Sequence, residues 1–405
     1  DHQEDLVRQT GSAIEIRRAL VRRIDKVRDV ELPANRLTTD PEEIVNAADI
    51  DVVVEVMGGV AETKALIEKA LKNGKHVVTA NKDLMAVHGA ELLAVAREYN
   101  CDIYYEASVA GGIPIIRVLT DSFSSDRITK LLGIVNGTTN YILTKMSREG
   151  ASFAEALKEA QQLGYAEADP TSDVEGLDAA RKMAILATLG FRMNVALSDV
   201  RTKGITSVSK EDILYGRQLG YELKLLGMAE RDGDSVSVSV EPVMVNKSHP
   251  LASVNGVYNA VYVYGEAVGE TMFYGPGAGS LPTATSVVAD LVAVVKNMRL
   301  KVNGRKLSPT YNEKKLKSDD RIFGKFFLLL EVEDKAGVLA QITQPFADYE
   351  VSLESLLQQP VQNDAGAELI IITHDTSLES MNGVIETLKT LKVVKQVKSV
   401  YRVVG

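Results

Sequence analysis

The chain has 405 residues, 45% of them hydrophobic and 25% charged, a balance that suits two or three globular domains. A net charge of −9 argues against a nucleic-acid-binding surface, and no apolar run is long and uninterrupted enough to span a bilayer. The single cysteine, Cys101, excludes an internal disulfide framework and the usual thiolate zinc sites, and it suits a reducing cytoplasm.

The first hundred residues alternate strand and helix. "IEIRRALVRR" (14–23) reads as a strand, and "PEEIVNA" (41–47) as a helix with proline in its first turn. "DVVVEVMGG" (51–59) is a β-branched run closed by glycines, the pattern of a buried parallel strand. "AETKALIEKALKNG" (61–74) has helical period and a glycine stop, "HVVTA" (76–80) is a strand, 84–100 a helix and "DIYYEAS" (102–108) a strand. The repeat predicts a doubly wound, Rossmann-like parallel sheet over 1–107. Such a fold opens with a strand and a glycine-rich turn. Here "DHQEDLVRQTG" already reads as the first helix and no G-x-G-x-x-G precedes it, so a strand and a loop are expected N-terminal to Asp1.

From about residue 128 the character changes. "ITKLLGIVNGTTNYILTKM" is a strand, a turn and a helix, while 235–245 and 259–275 alternate like antiparallel strands. These predict a second, α+β domain over 108–302, to which only a family resemblance adds substrate binding and dimerisation. The glycine-rich loop at 275 leads into an apolar helix, expected near 280–300 to pack back on the first domain. The polar, basic stretch 303–324 reads as a linker. Residues 325–405 read strand, helix, strand, strand, helix, strand, a ferredoxin-like βαββαβ module.

The densest chemistry lies in "GYAEADPTSDVEGLDAARK" (164–182). Asp178 and Lys182 stand at i and i+4 on one helix face. Alone they would be a surface ion pair contributing roughly half a kcal/mol or less. Directly after Lys182 the helix turns apolar ("MAILATLGF"), which puts the lysine at the edge of a core. A partly desolvated lysine can donate or accept a proton near neutrality.

Ala160, Gly164, the Asp169-Pro170 pair, Asp173, Gly176, Asp178 and Lys182 together resemble the homoserine dehydrogenase signature, and the resemblance runs from the first helix to the linker. That family interconverts L-aspartate 4-semialdehyde and L-homoserine with NAD(P)H. The resemblance implies that Lys182 is the general acid/base. Glu167, Asp178, Asp173 and Tyr165 would be substrate contacts, Glu167 being suited to the ammonium group. It makes Lys82, in "VVTANKDLMA", a second active-site lysine near nicotinamide and substrate. Thr79, Asn81, Gly164 and Gly279 become cofactor contacts. In "EASVAGGIPII", Glu106 and the carbonyls of Val109, Gly111 and Ile113 match the ligand positions of a sodium ion, where the bland reading is a tight strand-to-helix turn.

Arg22 and Arg23 end the first strand, where a dinucleotide fold usually has an acid for the ribose. They favour NADP(H), with NAD(H) open, and two solvated arginines serve almost as well. "EVEDKAGVLAQIT" (331–343) resembles the ACT regulatory domain, with Gly337 opening a helix N-terminus. This implies a homo-oligomer, dimer or tetramer, and an amino-acid effector such as L-threonine; a purely structural module is the alternative. Two rival readings remain. A phosphorylating semialdehyde dehydrogenase needs a thiolate, and Cys101 sits badly for that, at the entry to a strand. An inactive amino-acid sensor would keep the tail and lose the chemistry.

Overall fold

A computed structural model of the chain describes residues 2–28, 30, 32–304, 311–360 and 366–405. Packing divides the chain into two compact units, one of residues 1–125, 184–197 and 276–313, the other of 126–183, 198–275 and 314–405.

The first unit begins with α1 (Gln3–Thr10). Short strands β1 (Ala19–Leu20) and β2 (Leu37–Thr38) pair in parallel. The strand expected over 14–23 is therefore reduced to two residues. Before it the Ile16 carbonyl accepts from the Arg36 guanidinium at 2.8 Å in place of a ladder partner, and the Arg17 side chain reaches the Asp49 carboxylate at 2.9 Å. After α2 (Glu42–Val45) come β3 (Val52–Glu55), α3 (Ala61–Lys72), β4 (His76–Thr79), α4 (Lys82–Glu98) and β5 (Ile103–Tyr104). β3, β4 and β5 form a parallel sheet in that order, as the alternation predicts. Ile67 and Leu71 of α3, Leu84 and Leu92 of α4, and Val77 and Val78 of β4 are all buried. The strand expected over 102–108 stops at Tyr104. Beyond it the Glu106 N–H donates to Asp290 at 2.8 Å, and Glu106–Ser108 coil into a 3₁₀ turn before α5 (Ile115–Arg117).

The second unit opens with β6 (Ile128–Ile134), α6 (Gly137–Glu149), α7 (Phe153–Gln162) and α8 (Thr171–Val174). Helix α9 (Leu177–Phe191) begins in this unit and ends in the first. Then follow β7 (Val200–Thr202), α10 (Lys210–Gln218), β8 (Tyr221–Asp232), β9 (Ser235–Asn246), β10 (Tyr258–Gly265) and β11 (Gly269–Pro276). Helix α11 (Ser280–Leu300) belongs to the first unit, where Asp290 meets Glu106 and Asn297 donates to Asp102 at 2.8 Å. The C-terminal module comprises β12 (Phe323–Glu333), α12 (Val338–Asp348), β13 (Leu353–Pro360), β14 (Gly366–Thr373), β15 (Thr376–Ser377), α13 (Leu378–Thr390) and β16 (Val394–Val404). Its strands run β16-β12-β14-β13 with every neighbour antiparallel, the ferredoxin-like order. Its core is built from Phe326, Leu328 and Leu330 on β12, Ile342 and Phe346 on α12, and Met381 and Val384 on α13.

This module shares a sheet with the rest of its unit. β16 pairs in parallel with β9, Arg402 to Val404 opposite Val243 to Val245. Among the described residues the result is one 11-stranded sheet, β11-β10-β6-β8-β9-β16-β12-β14-β13, with β7 beside β9 and β15 beside β12. One face of its β6–β8 part is covered by α9. A Cβ at Gly227 would lie 2.4 Å from the Met183 Cγ, so only glycine admits that side chain. The other face carries Leu226, Met228, Val243 and Val245, packed on Leu251 and Val254.

Candidate active site

The Lys182 cluster grows out of two helix starts in the second unit. β6 ends at Ile134, and Asn136 caps α6, its side chain accepting from the Thr139 N–H at 2.9 Å. That leaves the Asn136 amide free to donate. It gives 2.7 Å to Asp173 at α8 and 2.9 Å to Asp178 in the first turn of α9. One turn on, the Lys182 ammonium donates to Asp178 at 2.7 Å and to the Val135 carbonyl at 2.8 Å. The Lys182 side chain is 13% exposed and that of Asp178 8%. This is a half-open ammonium at the lip of an apolar helix, oriented by a buried carboxylate that an amide holds in turn. Burial pushes the Asp173 carboxyl above the usual range; Asn136 opposes this and the Asp178 charge reinforces it.

The approach to the cluster comes from the α7–α8 connection. Gly164 turns at φ +75°, and the Tyr165 carbonyl accepts from the Thr138 hydroxyl at 2.6 Å. The Tyr165 ring, 43% exposed, tilts against Tyr141 at 5.1 Å. Glu167 lies exposed two residues further on, its carbonyl accepting from Gln161. The structure thus joins Asp173, Asp178 and Lys182 in one network and ties Tyr165 to the same turn. Asn136 and Thr138 escaped the sequence reading. Their signal is a polar cap at a strand-to-helix turn, "VNGTT", flanked by apolar residues.

In the first unit the C-terminal edge of the parallel sheet is braced from within. Glu55, buried at the end of β3, accepts from the Thr79 hydroxyl at 2.5 Å and from the N–H groups of Met57 at 2.7 Å and Gly58 at 3.0 Å. Thr79 in turn accepts from the Asn81 N–H, and Asn81 donates to the Gly59 carbonyl at 2.7 Å while capping α4. Lys82 is the first residue of that helix and is partly buried. Gly58 and Gly59 take φ of +78° and +76° just before α3, leaving an open backbone at a helix N-terminus. That edge fits the phosphates of a dinucleotide. Gly279, at φ +118°, caps α11, a conformation closed to other residues at little strain. Arg22 is exposed just past β1, whereas Arg23 is engaged with Asp25 at 2.8 Å.

Glu106 is 4% exposed, and its carboxylate accepts from the N–H groups of Ile116 at 2.8 Å and Arg117 at 2.9 Å. Burial raises it to about 7, against those bonds. Val109 and Ile113 are buried beside it, and the Gly111 carbonyl accepts from Ser286 at 2.7 Å. A Cβ on Gly111 would meet the Gly277 carbonyl at 2.5 Å. Cys101 is buried and its thiol is pushed up to about 11, which removes the nucleophile a phosphorylating enzyme would need.

A parallel dinucleotide-type sheet, a half-buried lysine–carboxylate network on a mixed-sheet domain and a ferredoxin-like tail define a nicotinamide-dependent dehydrogenase with an appended C-terminal module. Residues 2–106 match the homoserine dehydrogenase NAD-binding domain, 114–292 the homoserine dehydrogenase domain and 326–393 the ACT domain. The chain belongs to the homoserine dehydrogenase family. It is 56% identical over 406 residues to a homoserine dehydrogenase of Bacillus subtilis, covering 100% of this chain and 94% of that one. It is 44% identical to that of Synechocystis over 96% of this chain and 92% of that one. A homoserine dehydrogenase crystal structure from Thiobacillus denitrificans superposes with a TM-score of 0.91 at 38% identity, covering 99% of this chain and 92% of that one. A hyperthermophilic archaeal homoserine dehydrogenase in complex with NADPH aligns with a TM-score of 0.56 at 32% identity over 65% of this chain and 75% of that one. Nothing in these likenesses favours the inactive sensor.

Proposed function

We propose that this chain interconverts L-aspartate 4-semialdehyde and L-homoserine with Lys182 as the proton carrier. The observation behind it is the Lys182–Asp178–Asn136–Asp173 network. The bound nicotinamide cofactor supplies or takes up the hydride. Lys182 gives its proton to the aldehyde oxygen in reduction and takes it back in homoserine oxidation, while Asp178 keeps its ammonium aimed. Lys82, at the sheet edge, serves as the second lysine of the site. Glu167, with Tyr165 and Asp173, holds the polar end of the substrate. Homoserine oxidation followed by NADPH absorbance tests the reading directly, and a full-length chain without that activity overturns it.

Glu167→Gln is expected to raise the KM for homoserine on the order of tenfold, because it removes the charge paired with the substrate ammonium. NADPH affinity should stay as it was; a change confined to NADPH would assign Glu167 to the cofactor instead.

The cofactor is NADP(H) in preference to NAD(H), supported by the exposed Arg22 past the first strand. Arg22→Ala should narrow the ratio of kcat/KM for NADP+ over NAD+ by roughly tenfold. Arg23→Ala should matter less, since Asp25 already occupies its guanidinium. An Arg22→Ala enzyme with the parent ratio makes this arginine a bystander.

Sodium at Glu106 and the carbonyls of Val109, Gly111 and Ile113 is supported by a buried carboxylate left short of positive charge. The unfolded side chain titrates near 4.5, so between 4.5 and about 7 the folded chain keeps a proton that the unfolded chain releases. Glu106 therefore contributes most below the lower value, and its contribution is lost as pH rises through the upper. A bound cation favours the carboxylate and competes with that proton. Sodium chloride in place of tetramethylammonium chloride should stabilise the fold at pH 8 by about 2.7 kcal/mol at a hundred times Kd, read as a higher Tm, and do little at pH 5.5. Equal effects at both pH values, or an effect that survives in Glu106→Gln, would refute the site.

The ACT module senses an end-product amino acid, L-threonine in the first instance, at the turn before α12. There Gly337, at φ +85°, opens the helix N-terminus beside Asp334 and Gln358. The working form is a cytoplasmic dimer or tetramer to which this module contributes an interface.

A further inference from the structure

The outer edge of β9 changes partner along its length. Leu316 bridges Val236, β7 pairs with residues 238 to 240, and β16 takes over from 243 to 245. Glu241 and Pro242 fall at the change of partner, next to the Lys203 N–H that donates to the Val240 carbonyl. A cleft opens there, lined by Thr202, Lys203, Ser239, Glu241, Ile322 and Arg402 among others.

Register puts its polar groups on one face. Arg402 stands opposite Val243, so it shares a face with Val243, Glu241 and Ser239, whose side chains alternate with that of Val240. Val240 pairs with Gly227, the glycine against which Met183 of α9 packs. The cleft is therefore on the face of the sheet away from α9 and Lys182. Gly337 lines a different cleft, at the opposite end of β12 from Ile322.

Thr202 and Lys203 are engaged with the Val200 and Val400 carbonyls, but Arg402, Glu241 and Ser239 keep bonding capacity to spare. Arg402 is 9% exposed and its Nε–H has no acceptor. Its guanidinium donates to the Phe323 carbonyl at 3.1 Å and stands 3.9 Å from Glu230, which Lys130 already holds at 2.9 Å. Glu241 is partly buried, and among the described residues neither its carboxylate nor the Ser239 hydroxyl forms a hydrogen bond or ion pair. Buried polar groups are normally bonded, so an Arg402 Nε–H without an acceptor, in one cleft with a carboxylate that forms no hydrogen bond or ion pair among the described residues, calls for an occupant. The planar fork of arginine matches a carboxylate, and a carboxylate matches an ammonium group. Ile322 and Leu378 supply an apolar wall for a short side chain.

We propose that this cleft binds the zwitterion of a small α-amino acid, its carboxylate on Arg402 and its ammonium on Glu241. Such a ligand is held at once by β9 of the mixed-sheet domain and by β16 of the ACT module. It is a second amino-acid site, independent of the one at Gly337, and it does not depend on the assignment of the catalytic lysine.

Calorimetric titration of the full chain with glycine, L-alanine, L-threonine, L-methionine and L-lysine, each against its carboxylic acid lacking the amino group, tests the proposal. At least one amino acid should bind at millimolar concentration or below, and its deaminated analogue should not. Glu241→Gln should weaken binding by roughly tenfold or more while leaving homoserine oxidation without effector unchanged. Arg402→Lys, which keeps the charge and loses the fork, should weaken it as well. Gly337→Asp places a carboxylate over the α12 N-terminus and should leave this binding intact. The proposal fails if no amino acid of the series binds, if the deaminated acids bind equally, or if binding survives Glu241→Gln and vanishes with Gly337→Asp.

Discussion

Lys182→Ala should lower kcat for homoserine oxidation by roughly a hundredfold to ten-thousandfold, the range a positioned acid/base contributes. The geometry explains why so much rests on one side chain. The ammonium is fixed by Asp178 at 2.7 Å and the Val135 carbonyl at 2.8 Å. Its aim is thus set before substrate arrives, and an exposed lysine would have to find that aim each time. Substitution also removes the Lys182 ammonium from Asp178, so loss of fold must be separated from loss of chemistry. Two readouts do this: NADPH binding by fluorescence should persist, and the circular dichroism melt should remain cooperative. Lys182→Arg refines the test. Arginine keeps the ion pair with Asp178 but does not release a proton at neutral pH, so it should be nearly as inactive as alanine while melting closer to the parent. An arginine variant with near-normal turnover would mean that Lys182 acts only as a fixed charge.

Asp212→Ala is expected to destabilise the second unit by roughly 3–5 kcal/mol, which is on the order of 10 °C in Tm. Asp212 is the N3 residue of α10 and is 2% exposed. One of its oxygens accepts from the Ser399 hydroxyl, the other from the Tyr401 hydroxyl at 2.8 Å and the Ser209 N–H at 2.9 Å. Removing it breaks a helix cap and leaves two hydroxyls of β16 without an acceptor inside the protein. Burial already holds the Tyr401 phenol well above its ordinary range, and the Asp212 charge adds to this, so it remains a donor. Tyr401→Phe should cost only about 1 kcal/mol, since it removes a donor and leaves the carboxylate its bonds to the Ser399 hydroxyl and the Ser209 N–H. Calorimetry adds a second reading. If Asp212 ties the ACT module to α10, the parent should melt this unit in one transition and Asp212→Ala should split it. A variant that melts with the parent would show that the β16–β9 ladder alone carries the junction.

Much of this fold was legible in the sequence because its elements carry local signals. A β-branched run ending in glycine marked β3, the short run "HVVTA" marked β4, and the ferredoxin-like tail was read almost residue for residue, since its strands and helices alternate with short turns. Asp178 and Lys182 were visible as an i, i+4 pair against an apolar stretch, and helix geometry alone brings them together. Strand β8 was not singled out: "YELKLLGMAERD" is buried along most of its length, so it lacks the alternation that marks a half-exposed strand. The strands expected over 14–23 and 102–108 were overcalled. Propensity there is real, but the Ile16 carbonyl bonds instead to Arg36 and the Glu106 N–H to Asp290 from α11.

Only the tertiary structure decided the rest, and the reason is sequence distance. Asn136 lies 42 residues from Asp178, and Glu55 lies 24 residues from Thr79; no local pattern announces either bond. The same holds for the junction of the C-terminal module with its unit. Nothing in the pattern of β16 says that its last residues pair with β9, because a strand's alternation fixes which face is buried and leaves its neighbour unspecified. The sequence by itself determined most of the elements, the family and the pairing of Lys182 with Asp178; packing determined what else holds that lysine and which edge of β9 the ACT module completes.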